Sequence, residues 1–423
     1  MGLPAPAGFD AIIGDFPAVF PNVVMNSLPR LRLKKGEDRR LRGGHLWVFS
    51  NEVETAATPL QGFSPGDPAV VENARGETLG LAYVNPDSLI CARLLSRDPD
   101  APLDAEFFAR RLRRAAEWRA RLYERPFYRL VYGESDHLPG LVIDRFGDVL
   151  VVQTNTAGME RLQAPLVAAL EAVFAPRAVV LKNTSALREL EGLESYIRVV
   201  LGGVETPLEI VENDARFLVD PIEGQKTGWF FDHRANRARL APLCRGQRVL
   251  DLFSYTGAWG VQAALAGAAR VECVEISEPA LRLAAENARR NGVAGRMAFI
   301  REDAFEFLRQ ARRERRHYDV VVLDPPAFVK RKKDLAAGGE AYRRLNQAAV
   351  QVLSYGGILV SASCSFHWSP AALYDLLRAT ARHLDRQLLI FARGGQAPDH
   401  PIHPAIPETE YLKAAFCLVR QAE

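Results

Sequence analysis

Residues 247–260 read Gln-Arg-Val-Leu-Asp-Leu-Phe-Ser-Tyr-Thr-Gly-Ala-Trp-Gly, and their pattern decides the fold. Val249, Leu250 and Leu252 form a nearly unbroken apolar run, as in a strand buried on both faces. Ser254, Tyr255, Thr256 and Gly257 interrupt that run, and Ala258 to Ala266 reads as a helix. A strand, a turn of small residues and a helix set backbone N–H groups beside a ligand at the helix N-terminus. One strand-plus-helix later, Val271-Glu272-Cys273-Val274-Glu275-Ile276 reads as a second strand ending in an acid. At that place a doubly wound sheet grips a ribose hydroxyl pair, so an α/β fold is expected.

The turn lacks the G-x-G-x-x-G pattern of a pyrophosphate cradle, since only Gly257 and Gly260 stand in it. Asp251-Leu252-Phe253-Ser254-Tyr255-Thr256-Gly257 instead resembles motif I of class I S-adenosylmethionine methyltransferases, whose cofactor carries no phosphate. An ordinary β–α turn of another α/β enzyme is the plainer reading, but three further motifs follow in the right order. The resemblance assigns the 251–257 loop to the methionine end of the cofactor, and Glu275 with nearby Ser277 to the ribose. A third strand, Met297 to Arg301, runs into Glu302-Asp303-Ala304; by the same resemblance Asp303 faces adenine, a role compatible with capping the next helix. Upstream, Gln225-Lys226-Thr227-Gly228-Trp229-Phe230-Phe231-Asp232-His233-Arg234 crowds polar, aromatic and basic residues together. It reads as a wall of the cofactor site, with Gln225, Lys226, Thr227, Phe231 and Arg234 as candidate contacts. The bland alternative is a capped helix start with Asp232 as N-cap.

The fourth strand, Tyr318 to Leu323, ends in Asp324-Pro325-Pro326-Ala327-Phe328. Ligands of open α/β sheets sit at the carboxyl ends of strands, which places Asp324 and Pro325 at the reaction centre. Two prolines fix φ and remove two donors, leaving a stiff platform on which Phe328 can stack a flipped base. Lys330-Arg331-Lys332-Lys333 follows, a run of four cations that suits a phosphate partner as well as a solvated loop. The fifth strand, Gly357 to Ser361, leads to Ser363-Cys364-Ser365. Carbon 5 of a pyrimidine becomes a nucleophile once a thiolate adds at carbon 6, and Cys364 is the candidate thiolate. A small buried strand residue is the competing reading of that cysteine.

A chain of 423 residues exceeds one domain's usual size. We expect an extension at 1–28, a small β-module at 29–100, an α+β unit at 101–205 and the α/β domain at 206–423. Residues 28–42 hold a basic cluster, including Arg39 and Arg42, ahead of Gly44-His45-Leu46-Trp47-Val48-Phe49. Cations beside aromatics suit RNA backbone contact and base stacking, though for Trp47 and Phe49 individually a core position is the favoured reading. Leu103 to Tyr123 reads as an arginine-rich helix, and Gly158 to Phe174 as another. Net charge is only +3, so any polyanion contact rests on clustering rather than on the total. The five scattered cysteines lack metal-ligand spacing and fit reduced thiols in a cytosolic protein. No apolar run approaches the about 18–20 residues of a membrane span, and no secretory signal is apparent. Met25 is a second candidate start.

Together these stretches, with Gly224 to Gly228 and Asp399-His400-Pro401, resemble the bacterial rRNA large-subunit methyltransferase I family across residues 29 to 423. The resemblance implies an N-terminal PUA RNA-binding domain, a central α+β domain and a C-terminal Rossmann-like methyltransferase domain, often in a dimer. It implies S-adenosylmethionine as cofactor, structured 23S rRNA as partner, 5-methylcytosine as product and Cys364 as nucleophile. One departure stands out: many RNA cytosine-5 methyltransferases carry Pro-Cys where this chain has Pro325-Pro326. The product-release step served by that second cysteine must run otherwise here, and Asp324 is the candidate base or base-orienting group. Two rivals remain, a guanine N7 or exocyclic-amine methyltransferase and a non-catalytic RNA-binding assembly factor.

Overall fold

The computed structural model describes residues 28–422, so nearly all of the expected N-terminal extension lies outside the described residues. The chain forms two compact units. The first comprises residues up to 206 together with Pro221–Trp229 and Asp399–Thr409; the second holds the rest.

Within the first unit, β1 (Arg30–Arg32), β2 (Trp47–Val48), β3 (Asp67–Glu72), β4 (Thr78–Val84) and β5 (Ala92–Ser96) make one sheet in the order β1-β3-β4-β5-β2. Its core is built on Leu31, Val48, Val71, Ala82 and Leu94. The short helix α1 (Arg39–Arg42) carries the basic cluster, so this module is not purely β. A second sheet, in the order β10-β9-β8-β7-β6, joins β6 (Phe127–Tyr132), β7 (Leu141–Phe146), β8 (Val149–Thr154), β9 (Ala178–Asn183) and β10 (Tyr196–Gly202). The arginine-rich helix α2 (Ala105–Leu122) begins where Asp104 accepts the Phe107 N–H, and it buries Phe107, Phe108, Leu112 and Ala115.

The single helix expected over 158–174 is two, α3 (Ala157–Arg161) and α4 (Gln163–Phe174). Pro165 is the reason, because a proline has no N–H for the carbonyl of Arg161 and fits only the first turn of a new helix. The Asp399–Thr409 segment is tied to this unit by Asp399. Its carboxylate accepts the Arg129 N–H at 3.0 Å, and its carbonyl accepts Arg119 at 2.8 Å. The Asp-His-Pro stretch therefore has a structural task.

In the second unit, β11 (Leu208–Glu212) and β12 (Ala215–Val219) form the expected hairpin, with Asn213 and Asp214 at φ +50° and +64°. The main sheet runs β15-β14-β13-β16-β17-β19-β18. Its strands are β13 (Arg248–Leu252), β14 (Arg270–Glu275), β15 (Met297–Arg301), β16 (Tyr318–Leu323), β17 (Leu353–Ser363), β18 (Arg386–Gly395) and β19 (Lys413–Gln421). The first five are parallel and β19 is antiparallel to β17. Its helices are α5 (Arg234–Leu240), α6 (Ala258–Leu265), α7 (Glu278–Arg290), α8 (Ala304–Arg313), α9 (Leu335–Gln351) and α10 (Pro370–His383).

Val249, Leu250, Val320, Val321 and Val322 are wholly buried, as two-sided strands require, each such side chain stabilising the fold by about 1.5–3 kcal/mol. Strand order reverses between β13 and β16, which opens a crevice at their carboxyl ends. No helix of the described residues is long and apolar enough to cross a membrane.

Candidate active site

The turn after β13 is tightly wound. Phe253, Tyr255 and Gly257 sit at φ +61°, +48° and +79°, a conformation that costs two non-glycine residues energy and is therefore held by its surroundings. One of those holds comes from Glu275 at the end of β14, which accepts the Tyr255 N–H at 3.0 Å and, through its other oxygen, the Ser277 N–H at 2.9 Å. Each carboxylate oxygen keeps a second lone pair for a ligand hydroxyl. Gly260 lets α6 approach β14, since a Cβ there would lie 2.6 Å from Cys273 Sγ.

Asp251 is fully buried beneath the turn. One oxygen accepts the Gly260 N–H at 3.0 Å, while Oδ1, like Thr256 Oγ1, is buried without a hydrogen-bond partner among the described residues. Burial pushes the Asp251 carboxyl up to about 8. Unmet buried polar atoms are costly, and an ammonium-bearing ligand end would satisfy them. The loop thus fits the methionine end of S-adenosylmethionine. Asp303 lies exposed at the start of α8, where it accepts the Phe305 and Glu306 N–H groups through Oδ1 alone.

On the neighbouring strand, burial raises the Asp324 carboxyl, but His233 and the hydrogen bonds from His233 and Trp259 outweigh it and hold the group below the ordinary carboxylate value. His233 Nε2 lies 3.1 Å from Oδ1, and Trp259 Nε1 donates to Oδ2 at 3.1 Å. The Asn236 amide lies 3.1 Å from His233 Nδ1 and also donates to the Gly395 carbonyl, so Nδ1 accepts and Nε2 carries the proton toward Asp324. Cys364 follows the end of β17, half-buried, with Sγ 4.0 Å from the Pro325 carbonyl. The Tyr342 hydroxyl sits 2.8 Å from both Ser363 and Ser365, pinning the residues on either side of Cys364.

Lys413, buried at the start of β19, donates to the Ser365 carbonyl at 2.5 Å and the Trp368 carbonyl at 2.7 Å. Burial pushes its ammonium down to about 8. Phe328 is half-buried against Tyr342, with ring centres 4.8 Å apart.

The remaining expected contacts are dispersed. Phe231 and Arg234 are buried in the second unit, with the Arg234 guanidinium over the Phe231 ring and 3.5 Å from Glu212. Gln225, Lys226 and Thr227 belong to the first unit: the first two are exposed, and buried Thr227 donates its hydroxyl to Asp144. Asp232 does not cap α5. A short 3-10 turn, Phe231–His233, precedes the helix, and Asp232 instead accepts the Tyr411 hydroxyl.

Lys330, Arg331, Lys332 and Lys333 are all exposed, with Arg331 3.3 Å from Asp334. Arg39 is exposed, whereas Arg42 is engaged by Asp38 at 2.7 Å and Glu77 at 2.5 Å. Trp47 is half-buried and donates to Glu134 at 2.9 Å; Phe49 lies beneath the Arg40 guanidinium. Sequence reasoning missed His233, Trp259, Tyr342 and Lys413 as site residues. Lys413 alone carried a usable signal, a cation heading the apolar run Ala414-Ala415-Phe416-Cys417-Leu418-Val419.

A family model described as S-adenosylmethionine-dependent methyltransferase matches residues 143–414. The chain belongs to that family. A PUA-like domain model matches residues 31–97 of the same methyltransferase. The ribosomal RNA large subunit methyltransferase I of Erwinia tasmaniensis is 37% identical over 395 residues, covering 92% of this chain and 99% of the relative. Its counterpart from Shewanella denitrificans is 38% identical over 397 residues, with the same two coverages. The methyltransferase thus stands within the ribosomal RNA large subunit methyltransferase I family, and its cofactor is S-adenosylmethionine. The solved structure of SMU.776, a methyltransferase complexed with SAH, shares the fold at a TM-score of 0.79 and 20% identity, covering 92% of this chain and all of that one.

Proposed function

We propose that this cytosolic methyltransferase modifies carbon 5 of a cytosine in large-subunit rRNA, with Cys364 as nucleophile. The observation that carries the reading is the position of Cys364 at the end of β17. Its sulfur lies against the Asp-Pro-Pro platform, and buried Lys413 donates to the carbonyl of the next residue, Ser365. The curated relatives are named for large-subunit rRNA methylation, which supports the substrate class. A lysine held within the Cys364 segment favours a thiolate there over a thiol, which supports the nucleophile.

Bound S-adenosylmethionine supplies a methyl group on a sulfonium sulfur. The Cys364 thiolate adds to C6 of the base, and the electron pair displaced onto C5 forms the new bond to the methyl carbon. As it forms, that carbon's bond to the sulfonium sulfur breaks, its electron pair staying on sulfur as a neutral thioether. Loss of the C5 proton to solvent puts the C5–H electron pair into the C5–C6 double bond and expels Cys364 from C6, restoring the thiolate and the aromatic ring. Asp324 acts as an orienting charge: two donors already hold it, and a carboxylate below its usual pKa is a weak proton acceptor. Phe328 and the platform prolines flank the base, Glu275 takes the ribose, Asp303 the adenine, and Asp251 with the 253–257 loop the methionine end.

Labelled S-adenosylmethionine, unmodified bacterial rRNA and digestion to nucleosides test the assignment. Wild type is expected to yield 5-methylcytidine and Cys364→Ala none. A methylated guanosine or adenosine that survives the substitution would replace the product and the role of Cys364 together. That outcome would favour amine methylation, which needs no thiolate.

A further inference from the structure

Helix α2 presents more positive charge than its own fold uses. Arg110, Arg114 and Trp118 stand four residues apart on one line of its surface, spanning about 12 Å at 1.5 Å per residue. All three are exposed, Trp118 by 43%. This line forms one wall of a groove of about 1110 Å³ within the first unit, whose other wall is the end of β5 with His137 and His403.

The groove is poor in counter-charge. Arg110 and Arg114 have no hydrogen bond or ion pair among the described residues, and as like charges at i, i+4 they weaken the helix by a few tenths of a kcal/mol. Arg111 lies over the Phe107 ring at 3.7 Å and donates to the Leu95 carbonyl. Burial pushes its guanidinium down to about 10, and Arg110 and Arg114 push the same way. His137 lies below its usual value through burial and then the adjoining His403, Arg111 and Arg114. The lining sets six arginines against three acids, Asp98, Glu117 and Asp136, and Asp136 is already held by both arms of Arg119, at 2.5 and 2.8 Å.

A fold gains nothing from an uncompensated row of cations along a concave wall, whereas a polyanion would relieve it. We propose that this groove binds a single-stranded stretch of RNA, with its phosphates on Arg110, Arg114 and Arg111 and a base stacked on Trp118. An acidic protein segment would satisfy the charges but has no use for the exposed indole, which offers every base a face for stacking. The proposal rests on RNA being the substrate, and it makes the groove a second grip on that substrate, away from the residues that carry out methyl transfer.

The test measures binding of a labelled single-stranded rRNA fragment to full-length protein across a salt series. Alongside it run thermal melting and the affinity for S-adenosylmethionine. Arg110→Gln/Arg114→Gln is expected to raise Kd about tenfold and to shrink the slope of log K against log salt by about 1.4, two contacts at ~0.7 each. Its melting temperature should hold or rise, because a repulsive pair has gone, and cofactor affinity should not move. Trp118→Ala should weaken binding with the salt slope unchanged.

Wild-type RNA binding with unaltered Kd and slope in the double variant would overturn the groove and leave the substrate reading standing. Failure of the wild type itself to bind or methylate rRNA would bring down both. Displacement of the fragment by polyglutamate as readily as by unlabelled RNA would also overturn the proposal, in favour of an acidic protein partner.

Discussion

Asp251 stands on β13 and Asp324 directly follows the adjacent parallel strand β16, yet their surroundings send them in opposite directions. Asp251 has one backbone donor, an unmet second oxygen and a carboxyl raised to about 8 by burial. Asp324, directly after its strand, receives His233 and Trp259, one on each oxygen, and is held below the ordinary value. The same side chain a few residues apart in register is thus a neutral, under-occupied acceptor in one place and a fixed negative charge in the other. The donors supplied make the difference, since burial pushes both groups upward.

The sharpest way to break this contrast is Asp324→Asn. It keeps the shape, removes the charge and points an amide N–H₂ at one of the two donors. Turnover on rRNA should fall about a hundredfold, the scale of a misplaced reacting group, with the fold intact by circular dichroism. Unchanged turnover would remove Asp324 from the site.

A smaller effect is expected from Asp251→Asn, with affinity for S-adenosylmethionine falling about tenfold by calorimetry, or ~1.4 kcal/mol. The pH dependence of unfolding gives an independent reading. Between about pH 4 and 8 the unfolded chain has released the Asp251 proton while the folded chain keeps it, so the folded state loses stability as pH rises across that window. The Asn variant should flatten that part of the stability curve, and a curve with the wild-type slope would contradict the raised carboxyl.

Lys413→Arg sharpens the contrast from a third direction with the least effect. Lys413 loses its charge as pH passes about 8, which predicts a descending limb there in the pH–rate profile. Arginine stays charged, so activity near pH 7 should change less than about threefold while that limb moves upward. A limb that stays in place would assign it to another group.

Local pattern carried much of this architecture. The apolar run of β13, the small-residue turn and the acids ending β14 and following β16 are each visible within a dozen residues, because strands, turns and caps are set by near neighbours. Asp303 as a helix cap was legible for the same reason. What stayed hidden is long-range. Nothing in a single sequence pairs His233 with Asp324, Tyr342 with Ser363, or Lys413 with the Cys364 segment, since such contacts join positions tens of residues apart without periodicity. The task of Asp399 stayed hidden for the same reason, since Arg119 and Arg129, which use it as a fastening, stand more than two hundred residues earlier. Pro165 was readable locally, and its effect was underweighted against a long apolar run.

The hydroxyl of Tyr342 has a consequence for how rigidly Cys364 is presented. Ser363 Oγ donates to it, Ser365 Oγ lies 2.8 Å from it, and the Ser365 N–H donates to Ser363 Oγ at 3.2 Å. Both neighbours of Cys364 are thus braced on one phenol, and the two serines are braced on each other. In a buried place such bonds strengthen one another, and the sulfur between the two serines inherits their stiffness. Tyr342→Phe would remove the brace and leave a buried serine hydroxyl searching for a partner, and the aim of Cys364 would then become a thermal average in place of one fixed direction.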